Sequence, residues 1–229
     1  MKKYTFITIE GGEGAGKTTQ SLLLKKYLEQ KGYQVLLTRE PGGTVLAEAI
    51  RLILLNPNSH LSALSELFLY EASRAQHMEE FIMPALKSGK VVICDRFIDA
   101  TVAYQGYGRK LNLQLINKLN KIASLNIVPN LTIYIDIVPY KGLANEKEIN
   151  KDSHIFSNIK EFINHNFGFT VNWSGKDRIE RECITFHNNV RKGYLNQARK
   201  YPRRIKVIKT QKTSEKTQEL IRKIINTVI

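Results

Sequence analysis

One stretch of the chain constrains its fold more than any other: FITIEGGEGAGKTTQSLLLKKYL, residues 6–28. An apolar, β-branched run leads into a glycine-rich turn, and leucines at helical spacing follow it. The pattern G-x-x-x-x-G-K-[ST] of a phosphate loop is matched by Gly11, Gly16, Lys17 and Thr18. A chance match in a glycine-rich turn is the alternative, but it would not explain the strand and helix on either side. The stretch therefore predicts nucleoside triphosphate binding.

The residue types of this loop suit a polyphosphate. Glycine adopts backbone conformations closed to other residues, so that successive N–H groups can face one anion. The positive end of the following helix points at the same phosphates. Lys17 would add a full charge at the β and γ oxygens, and the Thr18 hydroxyl would ligate Mg²⁺. The predicted ATP-binding residues are Gly11, Gly12, Glu13, Gly14, Ala15, Gly16, Lys17, Thr18 and Thr19.

Composition limits the class of protein. The chain has 229 residues, 42% of them hydrophobic, which is enough for a single α/β domain over residues 1–229. No apolar run approaches the roughly 18 residues of a membrane span, and the first residues show no signal-peptide pattern. Two cysteines, Cys94 and Cys183, indicate reduced thiols and not a disulfide scaffold. We therefore expect a cytoplasmic protein without a membrane partner.

The formal net charge of +14 allows two interpretations. Basic excess is the electrostatic footprint of nucleic-acid binding, but it also suits an enzyme with small polyanionic substrates. The charge is spread along the chain, with only a modest cluster over residues 199–206, and no aromatic-rich binding module accompanies it. This distribution favours small anionic substrates over nucleic acid.

Strand-like and helix-like patterns alternate along the chain, which predicts a parallel sheet with helices on both faces. After the first strand, we predict strands at residues 34–38, 91–95, 131–136 and 204–209. After the first helix, we predict helices at 44–55, 61–86, 113–125, 176–200 and 214–228, the last with Ser214 as N-cap. Residues 141–176 form a long connection rich in Asn and Lys, which is typical of a functional lid or of a partly disordered segment.

Two aspartates compete for the position that organises Mg²⁺ at the end of an apolar strand. Asp95 is favoured because Arg96 follows it, placing an anion-binding side chain beside a metal-organising carboxylate. For Asp136, capping of the following turn is the more typical role. Arg96 has its own structural alternative, a pairing with Asp99.

The phosphoryl acceptor is the next question, because a phosphate loop alone does not name a reaction. A hydroxyl acceptor needs a general base, whereas a phosphate monoester is largely a dianion at neutral pH. Such an acceptor needs neutralisation and in-line positioning, for which the rigid fork of arginine is suited. Arg39, Arg74 and Arg96 lie at or near predicted strand ends or on the adjacent long helix. The pattern favours a nucleoside monophosphate acceptor.

Five motifs stand in order along the chain: EGGEGAGKTTQ, TREPGGT, LFLYEASRAQH, DRFIDATVAYQG and DRIERE. Together they resemble bacterial thymidylate kinase over residues 1–136 and again from residue 176 to the C-terminus. The resemblance implies the nucleoside monophosphate kinase fold of P-loop proteins, with a five-stranded parallel sheet, a mobile lid and usually a homodimer. It also implies transfer from ATP to dTMP, giving dTDP, with Mg²⁺ as cofactor.

The same resemblance implies roles for residues near the phosphates. Lys17 and the loop amides would hold the ATP phosphates. Thr18 would ligate Mg²⁺, with Asp95 organising the ion and its water. Arg39 and Arg96 would clamp the phosphate of dTMP.

For the nucleoside part of dTMP, the resemblance places Glu13 near the sugar and phosphate. Tyr70 would stack on the thymine, where the family commonly has Phe, and Arg74 would hydrogen-bond the base edge. The pocket would be completed by Thr101, Tyr104 and Gln105. Structural alternatives exist: Tyr70 could be a core residue, and Arg74 could pair with a glutamate of its own helix.

The chain departs from the family pattern in its lid. Where the family commonly has GLxRxxxR, this chain has Gly-Leu-Ala-Asn at 142–145, and residues 141–176 contain no arginine. The lid cations are lysines 147, 151, 160 and 176 instead. Because an arginine at the γ-phosphate can contribute ~10³–10⁵ in rate, we predict that Arg178 or a lid lysine supplies part of this charge. A milder departure is Ala100-Thr101, where two serines are often found.

Two further functions remain open at this point. One is another nucleotide or deoxynucleoside kinase, which preference for a different acceptor would reveal. The other is a non-catalytic, ATP-responsive nucleic-acid-binding protein, which salt-dependent retention on DNA would reveal.

Overall fold

The computed structural model describes residues 5–145 and 175–228. Its five strands form one parallel sheet in the order β2-β3-β1-β4-β5. The strands are β1 (Thr5–Gly11), β2 (Val35–Arg39), β3 (Val91–Asp95), β4 (Leu131–Asp136) and β5 (Ile205–Lys209). The helices are α1 (Lys17–Gln30), α2 (Val45–Leu55), α3 (Ala63–His77), α4 (Met83–Lys87), α5 (Ile98–Thr101), α6 (Leu113–Ala123), α7 (Pro139–Asn145), α8 (Ile184–Lys200) and α9 (Ser214–Ile225). The predicted α/β fold is confirmed.

Both faces of the sheet are covered, as its apolar strands require. The central strands β3 and β4 are buried at every residue, which is why each forms a continuous apolar run in the sequence. Ile7 and Ile93 pack on the face that α1 and α9 cover, and Leu28 of α1 belongs to the same buried cluster. The alternating neighbours point the other way, so that Phe6 packs with Met78 on the opposite face.

Several predicted helix boundaries were wrong. The helical stretch predicted at 61–86 is confirmed as continuous from Ala63 to Lys87, but it contains an unpredicted π-helical turn, Met78–Ile82, between α3 and α4. Pro84 begins α4 at a position where its missing N–H is tolerated. The predicted helix at 113–125 stops at Ala123, because Leu125 and Asn126 adopt left-handed backbone angles of φ 53° and 59°.

The C-terminal helices also differ from prediction at their starts. The helix predicted from residue 176 begins at Ile184, after a turn that Asp177 closes by accepting from the N–H groups of Ile179 and Glu180. The N-cap of α9 is Thr213, whose Oγ1 accepts from the N–H of Lys216 at 3.3 Å. Thr213 and Ser214 are adjacent and both are typical N-cap residues, and the prediction of Ser214 was wrong.

A π-helical turn, Val102–Gly108, continues α5 and lies along α8. A Cβ added to Gly193 of α8 would stand only 2.9 Å from the ring of Tyr107. The glycine therefore allows the two segments to approach closely. Since π-turns insert an extra residue into a helix, they re-aim the side chains that they carry.

The carboxyl ends of β1, β2 and β3 meet at one edge of the sheet. In register, Asp95 lies beside Ile9 on one side and Arg39 on the other. Open parallel sheets bind ligands at this edge. Among the described helices, none combines the length and apolar character that a bilayer crossing requires.

Candidate active site

A cleft of about 530 Å³ opens at the carboxyl edge of the sheet. Most of the predicted site residues line it: Glu13, Gly14, Gly16, Lys17, Thr18, Thr19, Arg39, Tyr70, Arg74, Asp95, Arg96, Thr101, Tyr104 and Gln105. Four predicted residues are not among its lining: Gly11, Gly12, Ala15 and Arg178. Asp177, Ile179 and Glu180 of the DRIERE motif also line it, so the fold brings residues from all five motifs to one cavity, which we call the substrate cleft.

The phosphate loop has the backbone that its glycines predict. Gly14 and Gly16 take left-handed angles of φ 66° and 83°, which other residues rarely adopt. The Nζ of Lys17 donates to the carbonyl of Gly12 at 2.9 Å. Burial, followed by the positive charge of Arg96, lowers the pKa of Lys17 from its ordinary value. A bound phosphate would reverse this effect by supplying the missing negative charge.

The loop rests on α7 through a contact between two glycines. A Cβ added to Gly14 would lie 1.9 Å from the carbonyl oxygen of Gly142, and one added to Gly142 would lie 2.2 Å from the carbonyl oxygen of Glu13. The neighbouring atoms are backbone atoms, so no side-chain rotation could make room for a Cβ at either position. The close approach of the phosphate loop to α7 therefore requires glycine at both positions. Most of the predicted lid, residues 146–174 with lysines 147, 151 and 160, lies outside the described residues.

Thr18 and Asp95 form a pair suited to a magnesium ion. The Thr18 hydroxyl donates to Oδ2 of Asp95 at 3.0 Å. Oδ1 of Asp95 is buried and has no hydrogen-bond partner among the described residues. A buried carboxylate oxygen without a partner is costly unless a ligand satisfies it. Carboxylate and hydroxyl oxygens are also the donors that Mg²⁺ prefers, so the residues fit the ion.

Asp136, the rival candidate, is committed elsewhere. Its carboxylate accepts from Nε and Nη2 of Arg191 on α8 at 2.7 and 2.9 Å. It also accepts from the hydroxyl of Tyr134 at 3.1 Å. These contacts join β4 to α8 and leave the position beside Thr18 to Asp95.

Arg96 is held at the centre of the substrate cleft by an acid and a phenol. Its guanidinium donates to the carboxylate of Glu13 and to the hydroxyl of Tyr104, which itself donates to Glu13 at 2.8 Å. Burial alone would raise the pKa of Glu13, but Arg96 and then Lys17 outweigh it and lower the value to about 2. The backbone of Arg96 has φ 69°, an uncommon angle that often accompanies a functional site. The expected alternative partner, Asp99, pairs with Arg204.

Arg39 is oriented by a carboxylate that the sequence reasoning missed. Glu48 on α2 accepts from Nη1 and Nη2 of Arg39 at 2.6 and 3.1 Å, and it also accepts from the N–H of Gly43. A second missed residue, Arg51, lines the cleft, and its Nη1 donates to the carbonyl of Pro41. Burial and the nearby Arg39 lower the pKa of Arg51 to about 10, so it stays positively charged at neutral pH.

Arg74 is only 2% exposed and sits in a network of buried polar groups. Its Nε donates to Glu40 at 2.8 Å, and its Nη1 donates to Glu71 at 3.0 Å and to Asn120 at 2.8 Å. The alternative pairing with a glutamate of its own helix is thus partly realised, but in the interior. Burial would lower the pKa of Arg74, yet the two carboxylates outweigh it and raise the value. Nη2 is the guanidinium nitrogen not used in these bonds.

Tyr70 and Gln105 complete the wall opposite the phosphate loop. Tyr70 is partly buried, and burial followed by the charge of Glu66 raises the pKa of its phenol. Gln105 is fixed because its amide nitrogen donates to Glu66 at 2.8 Å. Its amide oxygen therefore has a defined direction.

Arg178 is bound away from the substrate cleft. Its Nε donates to the carbonyl of Leu54 at 2.9 Å, and its Nη1 donates to Glu66 at 2.6 Å. Its Nη2 is buried without a hydrogen-bond partner among the described residues. These contacts favour a structural role, and the suggestion that Arg178 contributes charge at the γ-phosphate stays a prediction.

The residues that sequence reasoning missed are mostly partners of the predicted arginines. Glu40 stands within the quoted motif TREPGGT, but no role was given to it. Arg51 is the only cation of α2, whose other residues are largely apolar. A lone charge on an apolar helix was a usable signal, because an unpaired charge is rarely buried without function. Glu48 offered a weaker signal, since acidic residues are common in the first turn of a helix.

Comparison with known proteins points to one family. The sequence model described as "Thymidylate kinase" matches residues 9–221. The thymidylate kinase of Syntrophotalea carbinolica is 46% identical over 204 residues, covering 89% of this chain and 86% of that protein. The thymidylate kinase of Gloeobacter violaceus is 41% identical over 221 residues, covering 96% and 94%. The crystal structure of thymidylate kinase from Ehrlichia chaffeensis matches with a TM-score of 0.72 and 34% identity, covering 97% of this chain and 98% of that one.

Proposed function

Because this chain belongs to the thymidylate kinase family, we propose that it transfers the γ-phosphoryl group of ATP to dTMP, giving ADP and dTDP. One observation carries the proposal: a single cleft holds a phosphate loop together with three oriented arginines. The phosphate of dTMP is largely a dianion at neutral pH, since its second pKa is about 6. It therefore needs positioning and charge neutralisation and not a general base.

The two phosphate groups would meet between Lys17 and Arg96. Lys17 and the amides of the glycine-rich loop would hold the β and γ phosphates of ATP. Arg39 and Arg96 would receive the dTMP phosphate, because both line the cleft and both are already oriented by carboxylates. Glu13 stays ionised at neutral pH, since its pKa lies at about 2. It can accept a hydrogen bond from the sugar but cannot donate a proton.

Thr18 and Asp95 would hold Mg²⁺, and this assignment is supported by the unpartnered Oδ1 of Asp95. The ion would neutralise charge on the β and γ phosphate oxygens. The protein contributes the fixed direction of the two ligands. Asp95 is buried at the end of β3, and the Thr18 hydroxyl lies on the first turn of α1.

The thymine would lie between Tyr70 and the π-helical turn Val102–Gly108. The Nη2 of Arg74 is suited to donate to a base carbonyl, since the other two donating nitrogens are used by Glu40, Glu71 and Asn120. Tyr70 offers an aromatic face for stacking. Thr101, Tyr104 and Gln105 would complete the pocket.

A panel of acceptors tests the proposal directly. ADP release would be measured in a coupled assay with dTMP, dUMP, dAMP, CMP and thymidine. We expect the highest kcat/KM with dTMP. A clear preference for another monophosphate, or for thymidine, would replace this function by that of a related nucleotide or deoxynucleoside kinase.

An arginine variant tests the phosphate site within the same assay. Arg96→Gln removes charge-assisted hydrogen bonds worth about 1.5–3 kcal/mol each, so kcat/KM for dTMP should fall by about a hundredfold. Arg199→Gln is the matched control, because Arg199 is exposed and, among the described residues, donates to Asn196 in its own helix. Equal kcat/KM for the two variants would contradict the assignment of Arg96.

We further propose that the enzyme is a cytoplasmic homodimer. A reducing compartment is supported by two free thiols, Cys94 in the core and Cys183 at the surface. A dimer is supported by the large apolar side chains that α2 and α3 expose, including Leu46, Leu64 and Phe68. Light scattering on Phe68→Glu should show a loss of dimer mass, whereas Phe81→Glu, an exposed aromatic outside α2 and α3, should not.

A further inference from the structure

A second cleft, of about 690 Å³, lies behind the substrate cleft. It opens near the ends at which β4 and β5 begin, opposite the edge that binds phosphate. Its walls come from α5, α6, α8 and the turns before β4 and β5. The polar and charged residues of its lining are Asp99, Asn117, Asn120, Lys121, Ser124, Asn126, Gln197, Lys200, Arg203 and Arg204. Asn120 also orients Arg74 of the substrate cleft, and the other residues of this lining have no part in the proposed phosphoryl transfer.

The second cleft carries an excess of positive charge. Arg204 forms an ion pair with Asp99, in which Nη1 and Nη2 donate to the two carboxylate oxygens at 2.6 and 2.8 Å. Lys121, Lys200 and Arg203 also line the cleft, and within the described part of the chain no carboxylate pairs with any of them. Of the described residues that line the cleft, Asp99 is the one that is acidic. A ligand with several negative charges would match three cations at one cavity.

The remaining lining suits a planar polar ring. Gln197 and Asn120 are 6% and 5% exposed, and the amide nitrogen of each already donates to a backbone carbonyl. The amide oxygen of Gln197 therefore has a fixed direction and is the acceptor that a ligand could use. Tyr201 presents an aromatic ring that is 41% exposed, with Nζ of Lys200 5.3 Å from its centroid. The volume lies within the roughly 300–1,000 Å³ of small-molecule sites. A local cavity of this kind fits a single nucleotide better than an extended nucleic-acid strand.

We propose that the second cleft binds a nucleoside triphosphate. The phosphates would contact Lys121, Lys200 and Arg203, and the base would lie against Tyr201 and the amide of Gln197. The ligand would not react there, because the described lining contains neither a phosphate loop nor a free carboxylate for Mg²⁺. The site is therefore regulatory.

The two clefts share a wall one helical turn thick. Ile98 and Asp99 of α5 line the second cleft, while Ala100 and Thr101 of the same helix line the substrate cleft. Asn120 bonds to a residue of each cleft. Its Oδ1 accepts from Arg74 of the substrate cleft at 2.8 Å, and its Nδ2 donates to the carbonyl of Ile98 in the second cleft at 3.2 Å. A nucleotide that moved Asn120 would change the aim of Arg74. This coupling, which rests on the proposed function, should alter the affinity for dTMP.

Equilibrium dialysis with radiolabelled GTP, CTP and UTP tests the binding site without measuring turnover. Saturating dTMP and ADP would occupy the substrate cleft throughout. We expect one labelled nucleotide per chain for the wild type and at least tenfold weaker binding for Lys200→Ala/Arg203→Ala. The matched control, Lys87→Ala/Lys90→Ala, removes two exposed lysines near the start of β3, at the same end of the sheet, and should bind like the wild type.

Three results would overturn the proposal. One is the absence of bound GTP, CTP and UTP when the substrate cleft is blocked. Another is equal binding by the two double variants, which would reduce the effect to surface charge. The third is at least tenfold tighter binding of an oligonucleotide than of any triphosphate through Lys200 and Arg203, which would make the cleft a nucleic-acid surface. Because binding is read directly, a failed kinase assay would not affect these outcomes.

The coupling has its own measurement. A calorimetric titration would give the affinity of wild type for dTMP with and without saturating GTP. We expect a change of at least threefold that is absent in Asn120→Ala. An unchanged affinity in the wild type would refute the coupling while leaving the binding site to be judged by dialysis.

Discussion

Glu10 should make the stability of this protein decrease as the pH rises. Its carboxyl is fully buried in β1, where Oε1 accepts from the N–H of Phe97 at 2.8 Å and Oε2 from the hydroxyl of Tyr194 at 2.7 Å. Burial, followed by the charge of Asp99, raises the pKa of Glu10 from 4.5 to about 8. The folded chain therefore holds a proton here that the unfolded chain releases near pH 4.5.

The sign and size of the effect follow from that difference in pKa. The stabilisation is fully present below pH 4.5 and is lost as the pH rises through about 8. At about 1.4 kcal/mol per pH unit, the loss between pH 5 and pH 9 is about 4 kcal/mol. Glu10→Gln removes it, because the amide is uncharged at every pH and its oxygen can still accept from the N–H of Phe97.

Urea unfolding at several pH values measures this directly. The free energy of unfolding of wild type minus that of Glu10→Gln should fall by about 4 kcal/mol from pH 5 to pH 9. Other titrating groups cancel in the difference. Glu219→Gln is the control, since Glu219 is exposed on α9, and its difference from wild type should stay flat. A flat difference for Glu10→Gln, or one that increases with pH, would refute the reasoning.

Three further variants test the substrate cleft. Gly142→Ala should raise the KM for ATP at least tenfold, because the added Cβ would lie only 2.2 Å from the carbonyl oxygen of Glu13 and would displace the phosphate loop. An unchanged KM would show that α7 can move away from the loop. Asp95→Asn should shift the Mg²⁺ concentration for half-maximal rate upward by about tenfold, with charge-assisted ligation worth about 1.5 kcal/mol or more, and an unshifted titration would place the ion elsewhere. Arg178→Ala should lower the thermal midpoint by several degrees, because Glu66 loses a buried partner; if it instead lowers kcat without changing the midpoint, Arg178 acts at the γ-phosphate.

The fold could be predicted from the sequence because its information is local. A buried parallel strand is rich in apolar and β-branched residues, and β1, β3 and β4 each show such a run, although Thr8, Glu10 and Thr132 interrupt it. The strand order of the phosphate-binding edge then follows from few topological choices. The helix boundaries were less predictable, and the π-helical turn within the stretch at 61–86 was not predicted, because one residue inserted into a helix has no sequence signature of its own.

The candidate active site was likewise predictable only in part. Motif positions named most residues that line the substrate cleft, but not the partners that orient them. Glu40 stands 34 residues from Arg74, and Asn120 stands 46 residues from it. No spacing rule relates residues so far apart, since only the tertiary fold brings them together. The lid substitution for arginine also stays open, because residues 146–174 lie outside the described part of the chain.

The balance of charges along the substrate cleft has a consequence for how the enzyme selects its ligands. Among the described residues, five basic ones line the substrate cleft (Lys17, Arg39, Arg51, Arg74 and Arg96), and five acidic ones balance them (Glu13, Glu40, Asp95, Asp177 and Glu180). This described lining is thus formally neutral in a chain that carries +14. A neutral cavity gives stray anions little long-range attraction, so occupancy depends on whether a molecule fits the hydrogen-bonding directions already set. Ionic strength should accordingly act weakly on dTMP capture and strongly on whatever meets the outer basic surface.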